Sequence, residues 1–139
     1  MKHQAHQEHQ NHQEDLATLH AIARNVVDAG LKVHRALGPG LLESTYEHCL
    51  ARERELRGIA HQRQVPIPIF YEGMQLDAGF RLDIVVQKSI VIEIQSVDAL
   101  TRLHEAQLLT YLRFSHRRIG FLMNFNVVLF KQGLRRLAL

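Results

Sequence analysis

The segment from Arg81 to Gln95 reads RLDIVVQKSIVIEIQ, and it decides the fold more than any other part of the chain. Every second residue on both sides of a short polar stretch is apolar, and the two rows are Leu82, Ile84, Val86 and Ile90, Ile92, Ile94. Such alternation predicts two β-strands joined as a hairpin. The rows pair with Val86 opposite Ile90, because a slip of one residue would turn one row outward. The loop Gln87-Lys88-Ser89 then has a common hairpin length.

The predicted register brings two acidic residues together. Asp83 lies directly across from Glu93, and Arg81 across from Gln95, on the sheet face opposite the apolar rows. Like charges on directly opposed residues, with Cβ atoms about 4.5–5.5 Å apart, destabilise a sheet, so we expect a compensating partner. Arg81 is one candidate, as an ion-pair partner. The alternative is a hard divalent cation such as Mg²⁺, held by Asp83, Glu93 and the backbone carbonyl of Ile94.

The chain after this hairpin predicts a helix followed by more strand. Within the helix pattern from Thr101 to Phe114, three polar residues share one face, namely His104, Gln107 and Tyr111. They form a second candidate site, and the alternative is a core tyrosine with two surface neighbours. Residues 119–125 predict a buried strand, and residues 127–139 allow one more.

The chain before the hairpin predicts two helices, at residues 16–37 and about 41–57, separated by Gly38-Pro39-Gly40. Glu43 falls on the margin of the second apolar stripe, so we expect it to be half exposed. A first-turn acid favoured by the helix dipole is the alternative explanation for its position. The alternation from Val65 to Tyr71 contains two prolines, which predicts an edge strand.

Composition favours one folded domain. The chain has 139 residues, of which 46% are hydrophobic and 22% charged, as in an average globular domain. No apolar run approaches the roughly 18 residues of a membrane span. Its single cysteine, Cys49, permits no internal disulfide. We therefore expect a soluble, cytoplasmic protein that does not enter a membrane.

Residues 1–15 differ from the rest of the chain, because residues 3–14 read HQAHQEHQNHQE. This tract has no apolar face to bury, which predicts a disordered tail before a single domain at residues 16–139. Weak binding of a transition metal by its histidines is the alternative.

The charge balance allows a polyanionic partner. The chain has 17 Lys and Arg against 14 Asp and Glu, and three of the acids lie within the tail. Basic residues cluster after the third predicted helix, at Arg113, His116, Arg117 and Arg118. They are candidates to contact phosphates, or they form a solvated helix end whose cations suit the helix dipole.

Several short motifs carry a family resemblance over residues 26 to about 136. Gly40-Leu41-Leu42-Glu43-Ser44-Thr45-Tyr46 matches a Gly-x-x-Glu-x-x-Tyr motif in full, and Asp83 with Glu93-Ile94-Gln95 resembles an Asp and Glu-x-Lys signature. The Gln107 to Tyr111 spacing is similar to that of the helix that follows this signature. The chain thus resembles the small bacterial GxxExxY family, which belongs to the PD-(D/E)XK nuclease superfamily.

The resemblance implies an α/β fold, in which a mixed β-sheet is flanked by α-helices. It also implies a metal-dependent nuclease that uses Mg²⁺ or Mn²⁺ and acts on nucleic acid, on DNA rather than RNA. Single-site domains of this size often act as dimers, so a homodimer is compatible with this interpretation.

The resemblance also implies roles for individual residues. Asp83 and Glu93 would be metal ligands with the Ile94 carbonyl, and Glu43 an auxiliary acid. The remaining implied site residues are Gln95, Gln107 and Tyr111, which would position water or substrate.

Gln95 stands where the superfamily signature has a lysine. Unlike lysine, an amide neither carries charge nor exchanges a proton at neutral pH. The alternative interpretation is therefore an inactive nuclease-fold module that binds nucleic acid or a protein partner. A structural role without metal or nucleic acid is a third.

Overall fold

The structure is a computed structural model that describes residues 2–76 and 79–139, with side chains from Leu16 onward. The helices in this part of the chain are α1 (Lys2–Leu37), α2 (Glu43–Arg57) and α3 (Arg102–Phe114). The strands are β1 (His61–Pro66), β2 (Ile69–Tyr71), β3 (Met74–Leu76), β4 (Arg81–Val86), β5 (Ile90–Gln95), β6 (Ile119–Asn124) and β7 (Leu134–Ala138). A 3₁₀ turn, Phe130–Gly133, precedes β7.

Five strands form one mixed sheet in the order β1-β4-β5-β6-β7. All neighbours are antiparallel except β5 and β6, which are parallel and connected through α3. A parallel pair requires such a crossover, and a helix is its usual form. Strands β2 and β3 form a separate two-stranded hairpin. The predicted α/β class with a mixed sheet and flanking helices is confirmed.

Two buried clusters cover the two faces of the sheet. On one face, side chains of α1 and α2 such as Val26, Tyr46 and Leu50 pack against alternate residues of the central strands. On the other face, α3 contributes Leu108 and Leu112. Because both faces are covered, β5 and β6 are buried at every position except Gln95, as central parallel strands generally are.

The predicted hairpin register is confirmed at the turn end, where Val86 pairs with Ile90 and Ile84 with Ile92. The expected pairing of Leu82 with Ile94 is wrong, because these residues lie in different buried clusters. The β4–β5 ladder ends at Ile84, so the strands separate before they reach Leu82.

The reason for this separation lies at Asp83, where β4 is distorted on both sides. In the β1–β4 ladder, pairs are formed on either side of Asp83, while Asp83 and the facing Gln64 are not paired. Gln64 has a φ of 51°, in the left-handed region that non-glycine residues seldom occupy. Leu82 consequently faces the α3 side of the sheet, and Ile84 the side of α1 and α2.

The single strand predicted from Val65 to Tyr71 is wrong, because the structure divides it. Strand β1 begins earlier, at His61, and ends at Pro66, while Ile69–Tyr71 belongs to the separate hairpin. The ladder ends with Pro66, which pairs with Arg81, and Pro68 in the gap before β2 has no backbone N–H to donate. The edge position of β1 agrees with the prediction from these prolines.

Helix α1 begins at Lys2 rather than at the expected Leu16, so its backbone includes the tract for which the sequence predicts disorder. Ala, Gln and Glu are favourable helix formers, which is compatible with helical backbone there. The side chains of this tract lie outside the described set, and its disorder stays a prediction. No helix in the described part of the chain is long and apolar enough to cross a membrane.

Candidate functional site

Asp83 and Glu93 lie in the fork where β4 and β5 separate. The backbone N–H of Ile94 donates to Asp83 Oδ2 at 2.8 Å, and the backbone N–H of Asp83 donates to Glu93 Oε1 at 3.3 Å. Each carboxylate thus accepts a hydrogen bond from the opposite strand, in place of the interrupted ladder. The sequence predicted that these acids lie directly opposite each other in the ladder. The structure brings them together through these bonds instead, because the β4–β5 ladder ends at Ile84.

The two carboxyl groups behave as a coupled pair. Burial, the charge of Asp83 and a hydrogen bond to its side chain raise the pKa of Glu93 to about 9. Burial also raises the pKa of Asp83, against the opposing hydrogen bonds from the Ile94 N–H and from the Glu93 and Gln64 side chains. The raised pKa of Glu93 keeps this carboxyl protonated at neutral pH, which reduces the repulsion between the two groups.

Arg81 does not form an ion pair with Asp83, so the first of the two candidate partners for the pair is not the one that the structure uses. The Arg81 side chain is exposed and donates from Nη1 to the backbone oxygen of Gln64 at 3.2 Å. Its ladder partner is Pro66, and the separation of the strands removes it from the position opposite Gln95. The proton on Glu93 takes the place that the sequence assigned to a cation.

Glu47 is a third acid near the pair, and sequence reasoning missed it. Its carboxylate is buried and accepts hydrogen bonds from Arg63 Nη2 at 2.6 Å, Arg63 Nε at 3.0 Å and Gln64 Nε2 at 2.5 Å. Its charge contributes to the raised pKa of both Asp83 and Glu93. The available sequence signal was its spacing: Leu50 and Ala51, three and four residues later, are also buried.

Glu43 lies one helical turn before Glu47 and contacts a different part of the site. Its side chain is exposed rather than half exposed as expected, and Oε1 accepts a hydrogen bond from the Ser96 N–H at 3.3 Å. Ser96 follows β5 directly, so Glu43 joins the start of α2 to the end of the strand that carries Glu93. The role of Glu43 as an auxiliary acid stays a prediction.

The tyrosine of the same motif holds the loop before α2. Tyr46 is buried and stacks on Phe125, with ring centroids 4.3 Å apart. Its hydroxyl donates to the Gly38 carbonyl at 2.6 Å and accepts from the Leu41 N–H at 3.1 Å. Gly40, with a φ of 94°, allows the turn between these two contacts. The Gly-x-x-Glu-x-x-Tyr spacing therefore fixes how α2 begins beside the sheet.

On α3, two of the three predicted polar residues, Gln107 and Tyr111, are bonded to each other. Gln107 Nε2 donates to the Tyr111 hydroxyl at 2.9 Å. Burial raises the pKa of Tyr111, with the charges of Glu93 and Asp83 adding to the effect. His104 instead accepts a hydrogen bond at Nδ1 from the Thr101 N–H at 2.9 Å, as part of the N-terminal cap.

Gln95 ends β5 two residues beyond Glu93. It is half-buried and pairs with Asn124 of β6, while its carbonyl accepts from the Phe125 N–H at 3.0 Å. Between them, Ile94 uses its N–H for Asp83 and buries its side chain against α1 and α2. The assignment of Gln95 to a water and of the Ile94 carbonyl to a metal stays a prediction.

The donor set at the fork fits a hard divalent cation. Two carboxylates plus waters and substrate oxygens are a common ligand set for Mg²⁺. The raised pKa of Glu93 also indicates that a positive charge at this point would be stabilised. No group of three or more His, Cys, Asp or Glu side chains within residues 16–76 and 79–139 is arranged to hold a metal ion. A cation here would rely on the carboxylate pair and on non-protein ligands.

The forked hairpin, the mixed sheet and the two carboxylates define a nuclease-type domain. The sequence model of the PD-(D/E)XK nuclease superfamily matches residues 20–137. The chain therefore belongs to the PD-(D/E)XK nuclease superfamily, whose enzymes generally use divalent metals. No curated protein and no solved structure matches the chain.

Proposed function

We propose that this protein is a metal-dependent nuclease that hydrolyses phosphodiester bonds of nucleic acid at the Asp83–Glu93 fork. The observation that carries the proposal is the pair of reciprocal hydrogen bonds that holds two carboxyl groups from opposite strands together, with Glu93 buried. The raised pKa of Glu93 supports the proposal, because a carboxyl group that keeps its proton above neutral pH lies where a positive charge is stabilised. A divalent cation would supply that charge by displacing the proton.

Asp83 and Glu93 would hold Mg²⁺ or Mn²⁺, together with the Ile94 carbonyl. When bound, the ion would lower the pKa of the attacking water and offset the charge that develops on the phosphate. Gln95 orients that water through its amide oxygen or nitrogen. The hydrogen-bonded pair of Gln107 and Tyr111 contacts the substrate backbone.

Glu43 acts as an auxiliary acid at the start of α2 in this proposal. Its bond to the Ser96 N–H supports this role, because it ties the carboxylate to the end of β5. The match of the Gly40 to Tyr46 segment supports assignment to the GxxExxY family. We propose further that the protein acts in the cytoplasm, on DNA rather than RNA, and as a homodimer where both strands are cut.

The proposal is tested by incubating the purified protein with plasmid, single-stranded DNA and RNA, each with Mg²⁺, with Mn²⁺ or with EDTA. We expect cleavage with a divalent metal only, and its loss in Asp83→Ala and Glu93→Gln. Glu55→Gln is the matched control, because Glu55 is an exposed acid of α2 that pairs with Arg52. Equal cleavage by Glu93→Gln and Glu55→Gln would contradict the proposal.

The second candidate is an inactive nuclease-fold module, and Gln95 is the observation that favours it. Without the lysine of the signature, the site has no cation of its own in that position. This candidate predicts no cleavage by the wild type, metal-dependent binding of nucleic acid, and a gain of cleavage in Gln95→Lys. The same assay separates it from the enzyme.

A further inference from the structure

A cleft of about 480 Å³ lies at the hairpin-turn end of the sheet, away from the carboxylate pair. Its walls are the β4–β5 turn, the loop from α3 to β6, and one side of α1 at Thr18, Leu19 and Ile22. Glu93 and Ile90 mark the two ends of the intervening stretch of β5. The two residues are three positions apart, which spans about 10 Å along the strand.

The polar lining of this cleft is basic. Lys88 comes from the hairpin turn, and His116, Arg117 and Arg118 come from the loop before β6. The cleft has no acidic residue among the described residues that line it. A concave surface with charge of one sign concentrates its field and attracts ions of the opposite sign.

Arg117 has a fixed orientation in this cleft. Its Nε donates to the Lys88 carbonyl at 3.1 Å, and its Nη1 donates to the Ser115 carbonyl at 3.4 Å. Both bonds are to neutral backbone, and burial lowers the pKa of the guanidinium. Among the side chains from residue 16 onward that the structure describes, no acid forms an ion pair with Arg117, Arg118 or Lys88. A guanidinium that is partly buried, held in one orientation and not paired with an acid is suited to bind a phosphate group.

We propose that this cleft binds phosphate groups of a nucleic-acid backbone, as an anchoring site separate from the carboxylate pair. The choice of nucleic acid over a small phosphate rests on the proposed function. The spacing is compatible with it: the 10 Å of β5 between Ile90 and Glu93 corresponds to the axial rise of about three base pairs. The distance along β5 is therefore within the length of a short duplex.

The test is the affinity of the full-length protein for a fluorescent DNA duplex, measured by anisotropy in EDTA so that no cleavage occurs. Lys88→Gln/Arg118→Gln removes two exposed cations of the cleft and leaves the bonded Arg117 intact. Arg24→Gln/Arg52→Gln is the matched control, because it removes two exposed cations from the surfaces of α1 and α2. Both proteins then have the same net charge.

We expect the cleft variant to bind about tenfold more weakly than the control variant. The dependence of log affinity on log salt should also lose about 0.9 for each phosphate contact removed. Equal affinity and equal salt dependence of the two variants would overturn the proposal, as would a wild type that does not bind the duplex. Binding that depends on the cleft without cleavage in Mg²⁺ or Mn²⁺ would contradict the proposed nuclease and leave the anchoring site standing.

Inorganic phosphate distinguishes the two sources of the ligand. If phosphate alone raises the melting temperature of the wild type but not of the cleft variant, while duplex affinity is equal in both variants, the cleft binds a small anion. That result would overturn the assignment to nucleic acid.

Discussion

At the scale of single residues, Glu93 connects the chemistry of the site with the stability of the protein. Its pKa lies at about 9, against 4.5 for an ordinary glutamate, because of burial and the charge of Asp83. Between these values the native state keeps a proton that the unfolded chain loses. Stability therefore falls as the pH rises from about 5 to about 9, by up to about 1.4 kcal/mol for each unit.

Glu93→Gln should remove this dependence, because an amide resembles the protonated carboxyl in shape and does not titrate. The measurement is the free energy of unfolding in urea at pH 5, 7 and 9, in EDTA. We expect the variant to be close to the wild type at pH 5 and more stable than it at pH 9. Parallel pH profiles of Glu93→Gln and wild type would refute the raised pKa of Glu93, and Glu55→Gln should follow the wild type.

Substitutions of Gln95 test whether the site needs the lysine that the superfamily signature has at this position. If the amide orients the attacking water, Gln95→Ala should lower the cleavage rate about tenfold to a hundredfold, with unchanged melting temperature. Gln95→Lys should retain at least the wild-type rate, since Arg81 is not across the ladder to repel it. Single-turnover cleavage with Mn²⁺ checks both values. An Ala variant as fast as wild type would exclude Gln95 from the reaction.

Part of the site could be predicted at this scale and part could not. The meeting of Asp83 with Glu93 was predicted from the register of the apolar rows, which the structure keeps from Ile84 to Val86 and which ends one residue short of Asp83. The contribution of Glu47 did not follow, because its bonds to Arg63 and Gln64 cross between elements with no fixed sequence spacing. Arg81 was assigned to the pair on the assumption of a regular ladder, which the fork invalidates.

At the scale of elements, the fork is held from the side of β1 and α2. Gln64, in its left-handed conformation, faces the unpaired Asp83 and donates to Glu47. Arg63 makes two further bonds to the same carboxylate. We infer that this contact between α2 and β1 keeps β1 in the position that leaves the fork open.

Glu47→Ala should therefore affect both stability and the site. It removes three hydrogen bonds and leaves Arg63 without its partner, which costs about 1–3 kcal/mol. We expect a lower melting temperature and, at a temperature where the variant is folded, slower cleavage. Glu55→Ala on the exposed side of the same helix is the control. If the two variants had the same cleavage rate, Glu47 would have no influence on the carboxylate pair.

The elements themselves were largely predictable, and the exceptions have local causes. The periodic segments gave α2, α3, β4, β5 and β6 within a few residues. The strand expected from Val65 to Tyr71 is divided after Pro66, and Pro68, which has no backbone N–H, lies in the gap. The face of Leu82 was wrong because alternation assumes undistorted backbone, and the distortion at Asp83 depends on hydrogen bonds that the sequence pattern does not reveal.

At the scale of the whole molecule, the helices on the two faces of the sheet contribute differently to the site. Helices α1 and α2 bury one face of the sheet and supply Glu43 and Glu47 at the site. Helix α3 crosses the other face, connects β5 to β6, and brings Gln107 and Tyr111 toward the carboxylates. The superfamily could be recognised from the sequence because its motifs are short and have fixed spacing, as in Glu93-Ile94-Gln95. The activity does not follow from the fold, since Gln95 alters the signature.

The central claim, that the fork exchanges its proton for a divalent cation, is tested most directly by calorimetric titration of the full-length protein with Mn²⁺. The titration is repeated at pH 7 in buffers of different ionisation enthalpy, which gives the number of protons released on binding. We expect the wild type to release about one proton per Mn²⁺ bound. The same release should persist when His3, His6, His9 and His12 are all replaced by Gln. Glu93→Gln should bind far more weakly and release none, whereas unchanged binding by Glu93→Gln, or binding lost with the four histidines, would contradict it.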